Sequence, residues 1–418
     1  MKINFKASTL LGVALLAMGG LAGCGPAAGG SQSLTVSGPS TQVEWLTSTL
    51  AAYNTQRAAE GKAKVNFEVL AYEENEIDSK VSDWNSGPDV YAFASDKIMT
   101  LFQANALAQV PATAVAEYKT TMKDGAMDTY AKFANKYVAY PFDSSNGYFL
   151  YYDKSVLSET DVQTVQGILA KCSADRQFSY NLEEAFYGIG ALFTWGSRFN
   201  ITVNPAGVTT NIDATFDTNE GLKAAKAVLE ILRNPNRVKA QSAPTAANKL
   251  AAVVDGTWNA AAYKRAMGEN YACAKLPTVS VGGETKTLGS FLGYKMYGVN
   301  PQRSSNDTAR LSLAHEVAQY LVSEEVQLSR YQNFGSGPTL KSLINSDTIK
   351  ADEALVAINA QSDYAVAQTA VPGNVWTAPN TFYAELNNLI GEDKTGAVTD
   401  EKLMELLTTL NTAIEGSK

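Results

Sequence analysis

Gly87-Pro88-Asp89-Val90-Tyr91-Ala92-Phe93-Ala94-Ser95-Asp96-Lys97-Ile98 decides how the rest of this chain is read. Gly-Pro opens it as a turn, Asp89-Val90-Tyr91-Ala92-Phe93 reads as a strand, and apolar residues then recur at Ile98, Leu101 and Phe102 with helical spacing. Strand, turn and helix in that order make a βα unit. Working upstream, Leu34 to Ser37 reads as a first strand, Trp45, Leu46, Leu50 and Tyr53 as one face of a helix, and Val65, Phe67 and Val69 as an alternating second strand. Downstream, Thr218 can cap a helix carrying Leu222, Ala225, Leu229 and Leu232 until Asn234 and Pro235 stop it. Leu403, Leu406, Leu407, Leu410 and Ile414 share one face of a last helix. The pattern predicts an α/β protein with mainly parallel sheets, and these apolar stripes are core.

The N-terminus is a different kind of sequence. Lys2 and Lys6 precede an uncharged apolar run from Ala7 to Met18, which reads as an export signal and is shorter than the roughly 20 residues that span a bilayer. The run ends in Leu21-Ala22-Gly23-Cys24, which resembles the bacterial lipobox. That resemblance implies cleavage before Cys24, lipidation of its thiol and anchoring on the extracytoplasmic face of the membrane, with residues 24–33 as a flexible tether. Cleavage removes two lysines and no acid, so the net charge of −8 becomes −10. An acidic chain of this kind is a poor partner for nucleic acid or for anionic lipid, so only the anchor ties it to a membrane. The remaining length suits two domains rather than one. Once Cys24 is assigned to lipid, Cys172 and Cys273 are left, either as one disulfide or as two free thiols.

Four segments carry a wider likeness. They are Gly87 to Tyr91 with Ser95-Asp96-Lys97 and Ala106-Leu107; Tyr140-Pro141 with Leu150 to Lys154 and Leu157; Ala251 to Trp258 with Lys275-Leu276-Pro277; and Gly335 to Thr339 with Pro372 to Trp376. In this order and behind a lipobox, the chain resembles the extracellular solute-binding proteins of the maltose and maltodextrin-binding type. The resemblance implies a two-lobed periplasmic-binding-protein fold with a multi-crossing hinge and the ligand cleft between the lobes. Lobe one would comprise residues 34–143 plus 297–345 and lobe two residues 146–296 plus 346–418, with crossings near Ser144, Tyr294 and Ser346. It also implies a monomer that binds a sugar, works with the permease subunits of an ABC importer, and needs neither cofactor nor metal.

A sugar offers apolar C–H faces and hydroxyl edges, so its site needs flat rings beside hydrogen-bonding groups. Trp258, just after Asp255-Gly256, and Trp376, in a loop rich in Pro, Gly and Asn, match stacking tryptophans of the family. Asp96 and Lys97 match its acidic and basic pair, with Lys where Arg is usual; Asp96 can equally be a helix N-cap. Ser145 and Asn146 fall where some relatives place a carboxylate. Tyr187, Ser40 and Tyr294 are lesser candidates, and core packing competes for Tyr187.

Rival chemistries lack parts. Lys394-Thr395-Gly396 has no Ser-x-x-Lys partner anywhere, and no Gly-x-Ser-x-Gly occurs. The single histidine, His315, sits in a helical pattern and reads as structural; one histidine makes no His-rich zinc site. Gly188-Ile189-Gly190 lacks the third glycine of a dinucleotide loop, and there is no P-loop. A carboxylate-pair glycoside hydrolase and a surface adhesion module are the alternatives to a binding protein.

Overall fold

The computed structural model describes residues 32–239, 250–304, 307–392 and 398–416; the export signal, Cys24 and Lys394-Thr395-Gly396 lie outside them. Strand β1 (Gln32–Gly38) pairs in parallel with β2 (Val65–Ala71) on one side and β3 (Val90–Ala94) on the other. Helix α1 (Val43–Ala59) connects β1 to β2 and buries Leu46, Leu50 and Tyr53. Helix α2 (Ile98–Gln103) follows β3 and buries Ile98 and Leu101.

Two long strands then depart from the parallel pattern. Strand β4 (Tyr140–Asp153) and strand β7 (Ser290–Val299) lie side by side, antiparallel to one another. Strand β7 also runs antiparallel to β3, and β4 antiparallel to β6 (Leu250–Gly256). Strand β6 pairs in parallel with β5 (Gln177–Ser179). The order is residues 237–238, β5, β6, β4, β7, β3, β1, β2, with residues 271–274 added on β4 and β8 (Ala365–Ala367) on β7. The sheet is therefore mixed where mainly parallel pairing was expected, because its two central strands are return passes of the chain rather than steps of a βαβ series.

Those strands also join two cores. Tyr140 and Phe142 of β4 pack with Val36, Phe93 and Leu101 in one core, whereas Tyr148 and Leu150 of the same strand pack with Phe178 and Val228 in another. Strand β7 changes core between Phe291 and Tyr294, and the chain leaves the first core again between Leu340 and Ile349, which packs with Phe149 and Leu292 in a third, smaller cluster. Helix α3 (Ala185–Leu192) and helix α4 (Asn219–Arg233) belong to the second core, the latter capped by Thr218, whose hydroxyl accepts from Gly221 N–H. The final helix, Asp400–Glu415, closes the same core with Leu403, Leu407, Leu410 and Ile414.

The two cysteines do not meet. Cys172 packs into the second core at the end of helix Val165–Lys171, while Cys273 sits on the strand paired with β4 and packs with Tyr263 and Tyr271 in a separate cluster; both are free thiols. Of the alternatives left open by counting cysteines, the structure takes free thiols, since the two side chains are committed to different apolar clusters. His315 is buried with its Nδ1 2.7 Å from the Tyr140 hydroxyl, and burial lowers its pKa to about 4.

Candidate functional site

A cleft of about 480 Å³ opens where the two cores meet. Glu73, Glu74, Asn75, Asp96 and Lys97 form its first wall; Asn146, Lys295 and Gln368 form its floor on the crossing segments; Glu184, Phe186, Trp258 and Trp376 form its second wall. It continues past Trp258 into a further space of about 380 Å³ that reaches Asp143, Thr257 and Ser336.

Asp96 lies in the short turn Ser95–Lys97 between β3 and α2 and caps neither helix end with its side chain. Its Oδ1 instead accepts from Gln368 Nε2 at 3.2 Å, and Gln368 Oε1 accepts from Asn146 Nδ2 at 3.2 Å. Burial pushes the Asp96 carboxyl up to about 7, against the opposing pull of Lys97. Lys97 itself lies 3.4 Å from Asp78 and 4.0 Å from Asp96. Lys295 Nζ donates to Glu74 Oε2 at 2.8 Å; burial disfavours its charge, yet Glu74 and Asp143 outweigh that and raise its pKa. The second oxygen of Glu74 is buried without a partner among the described residues. This wall is thus a set of carboxylates and ammonium groups largely engaged with one another.

The second wall is aromatic. Trp258 stands on the turn Thr257–Asn259 that follows β6, and Trp376 on the turn Gly373–Trp376. Phe186, on α3, has its ring centroid 6.2 Å from that of Trp258 and 6.4 Å from that of Trp376, and stacks on Phe291 behind. Neighbouring rings tilt by 41° and 44°, so the wall is curved. Trp258 is 47% exposed, while Trp376 leans on Phe291 and is half-buried.

Of the residues singled out from sequence, Trp258, Trp376, Asp96, Lys97 and Asn146 come together in the cleft. Four do not line it. Ser145 is buried in a knot at the crossing, donating to Asp143 Oδ1 at 2.6 Å and accepting from Gly337 N–H at 2.9 Å. Tyr187 points away from the cleft into the second core, its hydroxyl on Asp255 Oδ1 at 3.0 Å. Tyr294 is buried in the first core, stacked 4.0 Å from Tyr130. Ser40 is on the surface, donating to Glu73 Oε1 at 2.7 Å, and reaches the cleft only through that carboxylate.

Sequence reasoning did not select Glu73, Glu74, Glu184, Phe186, Lys295 or Gln368. Glu73-Glu74-Asn75 looks like an ordinary solvated loop after β2. Helix α3 is apolar on nearly every side, so nothing in its pattern tells Phe186 from Tyr187. Gln368 and Lys295 reach the site from remote segments, which no local motif reveals.

The family profile for bacterial extracellular solute-binding proteins matches residues 49–357. A galactooligosaccharide-binding protein of Bacillus subtilis is 34% identical over 131 residues, which are 31% of this chain and 29% of that protein. Among solved structures, one determined with acarbose superposes with a TM-score of 0.76 at 26% identity, over 93% of this chain and all of the other. The maltodextrin-binding protein MalE1 of L. casei BL23, solved without ligand, superposes at 0.74 with 22% identity over 92% of this chain and 99% of its own.

Proposed function

Because the chain belongs to the bacterial extracellular solute-binding protein family, we propose that it is the sugar receptor of an ABC importer, closing its two lobes on a maltooligosaccharide-like ligand and presenting it to the permease. The proposal includes the lipid anchor on Cys24 at the extracytoplasmic face, a monomeric state, and lobes of residues 34–143 plus 297–345 and 146–296 plus 346–418 hinged at the crossing strands.

The observation that carries the reading is the pairing of unlike walls across one cleft, three aromatic rings facing a row of carboxylates and lysines. Rings bury the apolar face of a sugar, and carboxylates take two hydroxyl hydrogens at once. The tilt between neighbouring rings suits a chain whose successive sugars turn, as in α-1,4-linked glucans, better than a flat ribbon. The relatives solved with acarbose and as a maltodextrin-binding protein support the same ligand class. The galactooligosaccharide-binding relative favours a second reading, a galactose-containing oligosaccharide in the same cleft.

Thermal shift of the purified protein against maltotriose, maltotetraose and galactooligosaccharides separates the two. A ligand that binds only the folded state raises its stability as the logarithm of excess over Kd. The expected result is a rise with maltooligosaccharides and no released sugar on prolonged incubation. No shift with any of them would overturn the reading, and hydrolysis products in proportion to protein would turn it to a glycosidase.

A further inference from the structure

Trp258 is half exposed, yet its ring has a seat. A Cβ placed on Gly256 would come within 2.2 to 2.3 Å of three carbons of the Trp258 ring. Gly256 has φ −84° and ψ 165°, extended values open to any residue, so the backbone conformation does not call for glycine there. The close approach of the ring does.

The Gly256 peptide is fixed on both sides. Its N–H donates to Asp255 Oδ1 at 2.7 Å, and its carbonyl accepts from the Tyr151 hydroxyl at 2.8 Å. The buried Asp255 carboxylate takes three further bonds from neutral donors: Tyr187 at 3.0 Å, Tyr263 at 2.7 Å and Asn259 Nδ2 at 2.8 Å. Tyr151 and Tyr263 stack at 4.4 Å. None of these groups lines the cleft. Yet they tie the turn bearing Trp258 to α3, which bears Phe186, and to helix Ala260–Met267.

We propose that Asp255 and Gly256 are positioning residues: the carboxylate fixes the Gly256 peptide, and the missing Cβ lets the Trp258 ring lie against it in the orientation that stacks on a sugar. The inference rests on the reading of Trp258 as a sugar platform. A buried carboxylate bound by four neutral donors is costly to disturb, which suits it to holding an exposed ring in one orientation without touching the ligand. Replacing Asp255 by Asn puts an NH2 against two of those donors.

Two measurements on the full chain test this. In titration calorimetry with maltotriose, Gly256→Ala and Asp255→Asn should each weaken binding on the order of tenfold, as about 1.4 kcal/mol of lost stacking would. Each double variant with Trp258→Ala should bind no worse than Trp258→Ala alone, because the loss acts through that ring. Additive losses would mean a general structural role and overturn the proposal. In ligand-free protein labelled with 5-fluorotryptophan, the fluorine resonance that Trp258→Phe removes should move in both variants while those of the other tryptophans stay. An unmoved resonance in Gly256→Ala overturns the seat. Trp258→Ala that binds as wild type would sink the platform reading instead. If Asp255→Asn does not fold, Gly256→Ala decides alone, its backbone being open to a Cβ.

Discussion

The two walls of the cleft differ in how much of their binding capacity is already spent. On the first, Glu74 is paired with Lys295, Asp96 accepts from Gln368, Lys97 faces Asp78, and Glu73 holds Ser40. A ligand hydroxyl arriving there exchanges one hydrogen bond for another, which nets little. On the second, Trp258 and Phe186 offer faces whose burial is gained outright. The comparison teaches that the aromatic wall should carry most of the affinity, while the charged wall should decide which hydroxyl pattern is accepted and how binding depends on pH.

The largest expected effect tests that division. Trp258→Ala and Trp376→Ala should each cost on the order of 1 to 3 kcal/mol of sugar binding by calorimetry. They should differ in stability: Trp258 is exposed and its loss should leave the melting temperature nearly unchanged, whereas Trp376 packs on Phe291 and its loss should lower it. Near wild-type affinity in both would place the stacking surface elsewhere and dissolve the comparison.

The next effect on binding concerns Asp96, whose larger signature is in stability. Its carboxyl is pushed by burial from about 4 in the unfolded chain to about 7, so between those values the folded state holds a proton that the unfolded state has released. Stability from this group is therefore full at the acid end and is lost as pH rises to about 7, by on the order of a few kcal/mol. Asp96→Asn should flatten that part of the stability profile. If sugar hydroxyls donate to the carboxylate, binding favours the charged form and affinity should rise from about pH 6 to pH 8. Affinity that falls over that range would mean a protonated Asp96 donates to the sugar; a flat profile would remove Asp96 from the contact.

How much of this was legible follows from where each signal resides. The βα succession from β1 to α2 and the cap at Thr218 were readable because periodicity and turn residues are local. The position of Trp258 and Asp96 at the cleft was readable because each follows a strand end inside a family-like motif. Lys295 and Gln368 were not, since their place is fixed by β7 and by the segment after β8 meeting β3 and β4. Tyr294 was misplaced for a related reason: on a strand buried on both faces, neighbouring residues alternate between cleft and core, and Lys295 rather than Tyr294 faces the opening. The mixed sheet was hidden too, because strand direction is set by the crossings and not by composition.

The smallest expected effect concerns Ser40, which marks how far the charged wall extends. Its hydroxyl and backbone N–H both donate to Glu73 Oε1, at 2.7 and 3.0 Å, so two donors restrain the carboxylate that lines the cleft. Ser40→Ala removes one and leaves the other. The site is exposed, water replaces the lost donor, and Glu73 keeps its backbone partner, so affinity should change by less than about 0.5 kcal/mol. The same variant should leave the melting temperature in place. A loss on the order of tenfold would mean that Glu73 must be held in one rotamer to meet the ligand. The charged wall would then reach back to the loop after β1, and its share of the affinity would exceed the one its internal pairing suggests.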